Sequence, residues 1–235
     1  MLDIKLQVKN VIKSLENVAD PDRCEYVKNY FPTNTQVIGV KIPDLRIVST
    51  ALDKQLKECS AEEVLEFALA LLKERIFECQ LIAYEVVSRH KETMSKLKES
   101  DVTKMGQTLD NWLTVDTFGA LIAGPTWRDG RIPDTTLHSW AKSRDHWWRR
   151  VAIVCTVALN QKARGGRGDA RRTLDICRIV ADDHDDMVEK ALSWALRELA
   201  KRDINPVKLF IQEHKDVLAN RVIREVSRKI TTGRK

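Results

Sequence analysis

The sequence predicts an all-α protein built from repeated pairs of antiparallel helices. Apolar residues recur at helical spacing along the chain, whereas the alternating pattern of a strand between turn residues is absent. Three segments also resemble one another when aligned, at residues 77–83, 147–153 and 187–193. We therefore predict a HEAT-like solenoid, in which stacked helix pairs share one core and leave an extended concave surface with a basic groove.

The repeat period follows from one polar position in the three segments. Gln80, Arg150 and Lys190 occupy it, at offsets of 70 and 40 residues. A unit of about 35 to 40 residues explains both offsets, because the first then spans two units. This position is predicted to line the concave surface. A chance similarity between amphipathic helices is the alternative.

Local signals mark the helix starts in chain order. Asp20-Pro21 and the capping box at residues 60–63 each predict one, and three further prolines are expected in first turns: Pro43, Pro133 and Pro206. These signals predict about a dozen helices joined by short connections. The only segment predicted as a flexible loop is the glycine- and arginine-containing stretch 163–169, and residues 1–235 are predicted to form a single domain.

Charge is distributed unevenly along the chain. The formal net charge is +6, but residues 1–127 carry 16 Lys and Arg against 19 Asp and Glu, whereas residues 128–235 carry 24 against 15. The second half is rich in arginine, whose planar fork of donors suits phosphate groups. A polyanion is therefore an expected partner.

Several other classes of protein are disfavoured. The five cysteines are widely spread without a Cys-x-x-Cys pair, which predicts reduced core thiols and neither a disulfide framework nor a zinc site. The longest apolar stretch, residues 151–159, is too short for a membrane span, and no signal directs export. We therefore expect a cytoplasmic protein, nucleoid-associated if bacterial, with no membrane contact.

Two motifs that suggest ligand sites have simpler explanations. The run Asp182-Asp183-His184-Asp185-Asp186 directly precedes a predicted helix, where acidic side chains cap free N–H groups, so we expect no metal there. The segment 165–168 lacks the Gly-Lys-Ser/Thr ending of a phosphate-binding loop. Arg167, with Arg171 and Arg172 following, is expected either to touch a DNA backbone or to form an exposed charged loop.

Two tryptophans stand one helical turn from a charged residue. Trp112 and Asp116 are four residues apart, as are Lys190 and Trp194, so each pair lies on one helix face. Taken singly, Asp116 is typical of a solvated helix residue or a cap residue, and Trp194 of a core anchor.

Five segments together resemble the AlkD-like DNA glycosylases, a family of HEAT-like repeat proteins that remove cationic alkylated bases. The resemblance extends over almost the whole chain, and it is carried by residues 26–31, 39–46, 112–116, 148–153 and 190–198. The chain departs from the family at Leu113, where an aromatic residue is frequent, and at residues 119–127, where Ala-Gly-Pro interrupts the expected helix.

The resemblance implies roles for particular residues. Trp112, Asp116 and Trp194 match the family's catalytic cleft, and Arg150 matches a residue that holds the DNA backbone. Further backbone contacts are expected from the following side chains: Tyr26, Arg149, Lys190 and Arg197. The implied partner is double-stranded DNA containing alkylated bases, bound by a monomer without metal or cofactor.

The implied reaction is hydrolysis of the N-glycosidic bond to purines such as 3-methyladenine and 7-methylguanine, the first step of base excision repair. Alkylation makes the base cationic and a good leaving group, so the enzyme must stabilise positive charge at the sugar, which suits the Asp116 carboxylate between indole faces. Two alternatives remain open: a DNA-binding relative without catalysis, and a helical-repeat scaffold for protein partners.

Overall fold

The computed structural model describes residues 2–30 and 33–233, in which all regular secondary structure is helical. The one β-type pairing in these residues is an isolated bridge between Gln36 and Ile76. The predicted all-α class is therefore confirmed. The chain divides into two compact units, residues 1–122 and 123–235. A single continuous domain stays a prediction.

The described residues of unit 1 form eight α-helices. They are α1 (Ile4–Glu16), α2 (Pro21–Tyr30), α3 (Ile42–Leu56), α4 (Ala61–Lys73), α5 (Phe77–Arg89), α6 (Lys91–Lys96), α7 (Glu99–Met105) and α8 (Trp112–Phe118). Helix α5 lies at the centre of this unit, packed against α3, α4 and α8. Its Tyr84 is fully buried and contacts Phe118 of α8 with ring centroids 5.4 Å apart.

Unit 2 contains the remaining α-helices. They are α9 (Gly124–Arg128), α10 (Asp134–Ala141), α11 (His146–Asn160), α12 (Ala170–Ile179), α13 (Asp186–Ala200), α14 (Ile204–Glu213) and α15 (Asn220–Thr232). Helices α11, α13 and α15 pack in sequence order, and α10, α12 and α14 pack against them.

The longest apolar stretch of the sequence is the middle of α11. Every residue from Val151 to Leu159 is buried, because α9, α10, α12 and α13 all pack against this helix. A helix that is apolar on all sides belongs in a core or a membrane, and α11 lies in the core of unit 2. None of the helices described has the length and hydropathy to cross a bilayer.

The predicted repeat period is confirmed by the positions at which the packed helices begin. Helices α3, α5, α8, α11, α13 and α15 start at residues 42, 77, 112, 146, 186 and 220. Successive starts are therefore 34 or 35 residues apart, except for 40 residues between α11 and α13. The longer interval contains the connection 161–169, which is an insertion into an otherwise regular repeat.

Most predicted helix starts are confirmed. Helix α2 begins at Pro21, and Ser60 caps α4 with the expected capping box, its hydroxyl accepting from Glu63 N. Pro43 and Pro206 lie in the first turns of α3 and α14. Pro133 is instead the N-cap residue of α10, one position before its first turn.

The Ala-Gly-Pro sequence alters the helix at residues 119–127 but does not interrupt it. A π-helical turn, Gly119–Ala123, follows α8 directly, and α9 begins at Gly124 with Pro125 in its first turn. Because proline has no N–H and its ring clashes with the preceding turn, an α-helix cannot pass through it unchanged, and a wider turn accommodates the chain. The prediction of a broken helix was therefore wrong.

The cysteines have the environment predicted for core thiols in three of five cases. Cys79, Cys155 and Cys177 are buried, whereas Cys24 and Cys59 are partly exposed. Burial raises the pKa of the Cys79 and Cys177 thiols to about 12, so both stay protonated at neutral pH.

Candidate functional site

Helix α8 carries Trp112 and Asp116 on one face. Asn111 caps the helix by accepting a hydrogen bond from Thr114 N at 3.0 Å, which fixes Trp112 as the first helical residue. Asp116 follows one turn later, and both side chains are partly exposed. The prediction that Trp112 and Asp116 share one helix face is therefore confirmed.

Aromatic rings from α2 extend away from Trp112. Tyr30 contacts the Trp112 ring edge-on, with centroids 5.8 Å apart, and stacks on Tyr26 at 5.6 Å. The guanidinium of Arg23 lies 4.9 Å from the centre of the Tyr26 ring. Tyr26 and Tyr30 are 53% and 59% exposed, so this row of rings is open to solvent. Phe31, the end of the segment that carried the family resemblance, lies outside the described residues.

Asp110 connects the start of α8 to the segment that follows α2. Its carboxylate accepts hydrogen bonds from the Thr33 and Thr35 hydroxyls at 2.8 and 3.0 Å, and from Asn34 N at 2.8 Å. It also accepts from Nδ2 of Asn111, the N-cap of α8, at 3.0 Å. One carboxylate thus holds the two chain segments whose Tyr30 and Trp112 rings are in contact.

A second carboxylate holds the rest of this segment. The buried Glu78 of α5 accepts backbone hydrogen bonds from Ile38, Gly39 and Val40 at 2.8 to 3.2 Å. Gly39 has a φ of +95°, and an added Cβ would lie 2.5 Å from Asp20 O, so only glycine fits. Residues 33–41 are therefore held as a defined strap by the carboxylates of Glu78 in α5 and of Asp110 just before α8.

Counted from the N-cap, Asp116 has charged counterparts in unit 2. Asp145 and Asp185 cap α11 and α13, and the fifth residue after each cap is Arg150 and Lys190. Asp116 is likewise the fifth residue after Asn111. Among these three capped helices, α8 alone carries a negative charge at this position.

The shared polar position does not line a surface in α5 or α11. Gln80 is fully buried and donates from Nε2 to Thr108 O at 3.2 Å, and Arg150 is 5% exposed and donates to Met187 O. Both side chains reach the segment that starts the next repeat helix, α8 or α13. The expectation that this position faces solvent was therefore wrong for Gln80 and Arg150, because the sequence does not show which partner a polar residue finds inside the fold.

The neighbouring Arg149 is engaged in a similar way. Its guanidinium binds Asp183 at 2.6 Å and donates to the carbonyls of Ser143 and Arg144 at 3.0 and 3.1 Å. These bonds hold the turn before α11 and the turn before α13.

Helix α13 carries the remaining predicted residues. Lys190 is half-exposed and pairs with Asp186 at 2.6 Å, and Asp186 also binds Arg221 of α15. Arg197 donates to Ser193 O at 3.1 Å, and its Nη2 lies 3.6 Å from Glu225 of α15. The Trp194 side chain is partly exposed. Lys190 is thus the most accessible cation of the predicted set on this helix.

The acidic run 182–186 caps α13, as predicted. Asp185 accepts from Met187 N and Val188 N at 2.8 and 3.3 Å, and Asp183 accepts from Asp185 N at 3.0 Å. Hydrogen bonds from Lys190 and Arg221 lower the pKa of Asp186 below its usual value. No cluster with metal-ligand character is found in residues 2–30 and 33–233.

Sequence reasoning missed three residues that shape the site around α8. Tyr30 follows Tyr26 by four residues, so the pair was detectable as one face of α2. Asp110 and Glu78 gave no such signal, because their partners lie about 75 and 40 residues away in the chain.

Comparisons with known proteins agree on the nature of the fold. The family model for "DNA alkylation repair enzyme" matches residues 11–230. A solved structure, a predicted DNA alkylation repair enzyme from Enterococcus faecalis, superposes over 91% of this chain and 97% of its own with a TM-score of 0.74, at 17% identity. That likeness shows the helical fold. No curated protein matches the chain at a significant level. On the strength of the family match over nearly its whole length, the chain belongs to the family of DNA alkylation repair enzymes.

Proposed function

We propose that this protein is a monofunctional DNA glycosylase that hydrolyses the N-glycosidic bond of cationic alkylated purines such as 3-methyladenine and 7-methylguanine. Family membership gives the coarser function, repair of alkylated DNA. The finer proposal rests on the chemistry of α8. A monomer acting on double-stranded DNA, without metal or cofactor, is part of this proposal.

The carrying observation is the position of Asp116. It stands one helical turn from Trp112, whose ring Tyr30 contacts edge-on. The fifth residue after the N-cap is cationic in α11 and α13, whereas in α8 it is the acidic Asp116. A carboxylate on the same helix face as an indole ring suits a substrate that develops positive charge.

The reaction needs no general acid from the protein. The bond between C1′ and the ring nitrogen breaks, and its electron pair neutralises the alkylated base as it leaves. Positive charge then develops at C1′, where the Asp116 carboxylate stabilises it electrostatically and orients a water molecule. The water oxygen bonds to C1′ and loses a proton, which leaves an abasic site.

The tryptophans contribute through the negative faces of their indole rings. In this proposal Trp112 packs against the deoxyribose and attracts the cationic centre, an interaction worth about 0.5 to 2 kcal/mol. Trp194 is proposed to act in the same way, on the strength of the sequence resemblance.

Five other side chains are proposed to contact the DNA backbone. Exposure favours Tyr26 and Lys190 for this role, since both are open to solvent. Arg149, Arg150 and Arg197 are bonded within unit 2, so in this proposal they also set the geometry of the helices that carry them.

The test is release of methylated purines from alkylated duplex DNA by the purified protein. We expect Asp116→Asn to lower the release rate by about 100-fold or more, because it removes the charge and keeps the shape. Affinity for the same DNA should change by less than about threefold. Glu66→Gln is a matched control, since it removes a carboxylate from an exposed position on α4.

Unchanged base release by Asp116→Asn would remove Asp116 from the mechanism. DNA binding without base release by the wild-type protein would instead favour a non-catalytic relative. Absence of both activities would favour a scaffold for protein partners.

A further inference from the structure

The connection between α11 and α12 is the irregular part of the repeat. It spans residues 161–169 and lengthens the interval between α11 and α13 to 40 residues, whereas the other intervals are 34 or 35. The corresponding connection between α13 and α14 is residues 201–203. Insertions in repeat proteins map to loops on one face and are often used for binding. We therefore expect this insertion to do more than join two helices.

Arginine side chains donate hydrogen bonds to the backbone of this loop, and its predicted flexibility stays a prediction. Arg128 of α9 donates to Arg164 O at 2.6 Å, and Arg202 donates to Asn160 O at 2.6 Å and to Gly166 O at 2.9 Å. Gly165 lies close to one of these guanidinium groups, because a Cβ on it would lie 3.2 Å from Nη1 of Arg128.

Backbone packing fixes the middle of the loop as well. A Cβ on Gly166 would lie 2.7 to 2.8 Å from backbone atoms at the end of α11, so the loop folds directly onto that helix. Asn160 adds a further anchor, since its Oδ1 accepts from Asp169 N at 3.2 Å and its Nδ2 donates to Thr173 at 2.8 Å.

Other arginines of this region have no close carboxylate partner among the described residues, although Arg164 donates to Oε1 of Gln161 at 2.6 Å. Arg164 and Arg167 are exposed, and the Arg171 side chain is 71% exposed, with Asp134 and Asp175 at 3.4 and 3.5 Å. By contrast, Arg172 is paired with Asp169 at 2.6 Å and lies over the Trp127 ring. The charge is concentrated here: residues 162–172 contain five Lys and Arg and a single acidic residue, Asp169.

A polar cleft of about 400 Å³ lies beside the loop, within unit 2. Arg128, Arg167 and Arg172 line it together with Gly165 and Gly168, and its acidic residues are Asp129 and Asp169. Those carboxylates bind Arg128 and Arg172 at 3.1 and 2.6 Å, which leaves Arg167 as the cleft arginine that extends from the loop.

We propose that an arginine surface formed by the loop 161–169 and the first turn of α12, with Arg164, Arg167 and Arg171 as its contacts, binds the phosphate backbone of DNA. This inference rests on the proposed function, which supplies DNA as the partner, and it adds a second DNA contact to the one proposed at α8. The buried Trp127, covered by Arg172, offers no open ring for a base, so the contact is to phosphates and independent of sequence. Three separate arginine forks suit the regular spacing of backbone phosphates better than one compact anion.

The test compares two triple variants that each remove three positive charges. One is Arg164→Gln, Arg167→Gln, Arg171→Gln, and the control is Lys5→Gln, Lys9→Gln, Lys13→Gln on the exposed face of α1. Binding of a labelled, undamaged DNA duplex is measured by fluorescence anisotropy at several salt concentrations, and circular dichroism checks that both variants are folded.

The arginine variant should bind at least about tenfold more weakly than wild type at low salt, because three phosphate contacts are lost. The slope of log affinity against log salt should fall by about 2 to 3, or about 0.9 for each lost contact. The control should stay within about twofold of wild type.

An unchanged slope in the arginine variant, or an equal loss in the control, would overturn the proposal. Base release, measured in parallel, separates this inference from the proposed function. Wild-type binding through the arginines without base release would refute only the glycosylase. Base release with an unchanged arginine slope would refute only the second contact, and absence of DNA binding would refute both.

Discussion

Two segments outside the α-helices, the strap 33–41 in unit 1 and the loop 161–169 in unit 2, are held by side chains of opposite charge. In the strap, the carboxylates of Glu78 and Asp110 accept hydrogen bonds from backbone N–H groups. In the loop, the guanidinium groups of Arg128 and Arg202 donate to the backbone carbonyls of Arg164 and Gly166. Each solution satisfies backbone groups that have no partner in a helix.

The use of carboxylates in the strap and guanidinium groups in the loop explains part of the difference in charge between the two units. Unit 1 carries 16 Lys and Arg against 19 Asp and Glu, and unit 2 carries 24 against 15. Some of these charges hold backbone in place and are not displayed to a ligand. The sum of charges along a sequence is therefore a weaker guide to a binding surface than the subset that the fold leaves exposed.

The largest effect is expected where the strap loses its buried carboxylate. Glu78→Ala leaves the N–H groups of residues 38–40 without an acceptor, so the free energy of unfolding should fall by about 3 kcal/mol. Chemical denaturation measures this loss. Glu66→Ala, on an exposed face of α4, should change the same quantity by less than about 0.5 kcal/mol. Equal stability of the two variants would show that the strap does not depend on Glu78.

A smaller effect is expected where the loop loses its close approach to α11. In Gly166→Ala the new Cβ would lie 2.7 to 2.8 Å from backbone atoms, and relief of that clash should cost about 2 kcal/mol of stability. Gly130→Ala is the matched control, because its Cβ meets nothing within 4 Å and only its φ of +77° is strained. We expect about 1 kcal/mol there. A ranking in the opposite order would mean that the loop moves freely away from α11.

The smallest effect is expected when the pH is lowered, and it concerns the ion pair of Asp20 at the strap. Asp20 donates its N–H to Gly39 O of the strap, and its carboxylate pairs with Lys41 at 2.7 Å. The hydrogen bond from Lys41 lowers the pKa of Asp20 below its usual value. A depressed pKa in the folded state means that the stabilisation is present above the pKa of the unfolded chain, about 3.9, and is lost as pH falls below it.

Amide hydrogen exchange at pH 5 and pH 3, corrected for intrinsic rates, measures this loss. Protection of the strap should decrease at the lower pH, whereas the loop should change less, because its arginine partners stay protonated throughout. Asp20→Asn should reduce the pH dependence of the strap. If the loop lost more protection than the strap at pH 3, the prediction that carboxylate anchors are more sensitive to acid than guanidinium anchors would be wrong.

Much of the fold was predictable because it depends on neighbours in the chain. The capping box at Ser60, the cap at Asp185 and the placement of Trp112 and Asp116 on one face all involve residues two to four positions apart. The repeat period was also detectable, since each repeat meets the same packing demand and preserves a similar pattern.

The sequence by itself thus determined the helical class, the repeat period, most helix starts and the indole–carboxylate pair of α8. Only the tertiary structure decided that Gln80 and Arg150 are buried, that Tyr30 contacts the Trp112 ring, and that carboxylates hold the strap while arginines hold the loop. The physical reason is distance along the chain. Backbone geometry fixes which residues share a helix face, but the partner of a charged side chain is selected among groups tens of residues away that meet only when the helices pack.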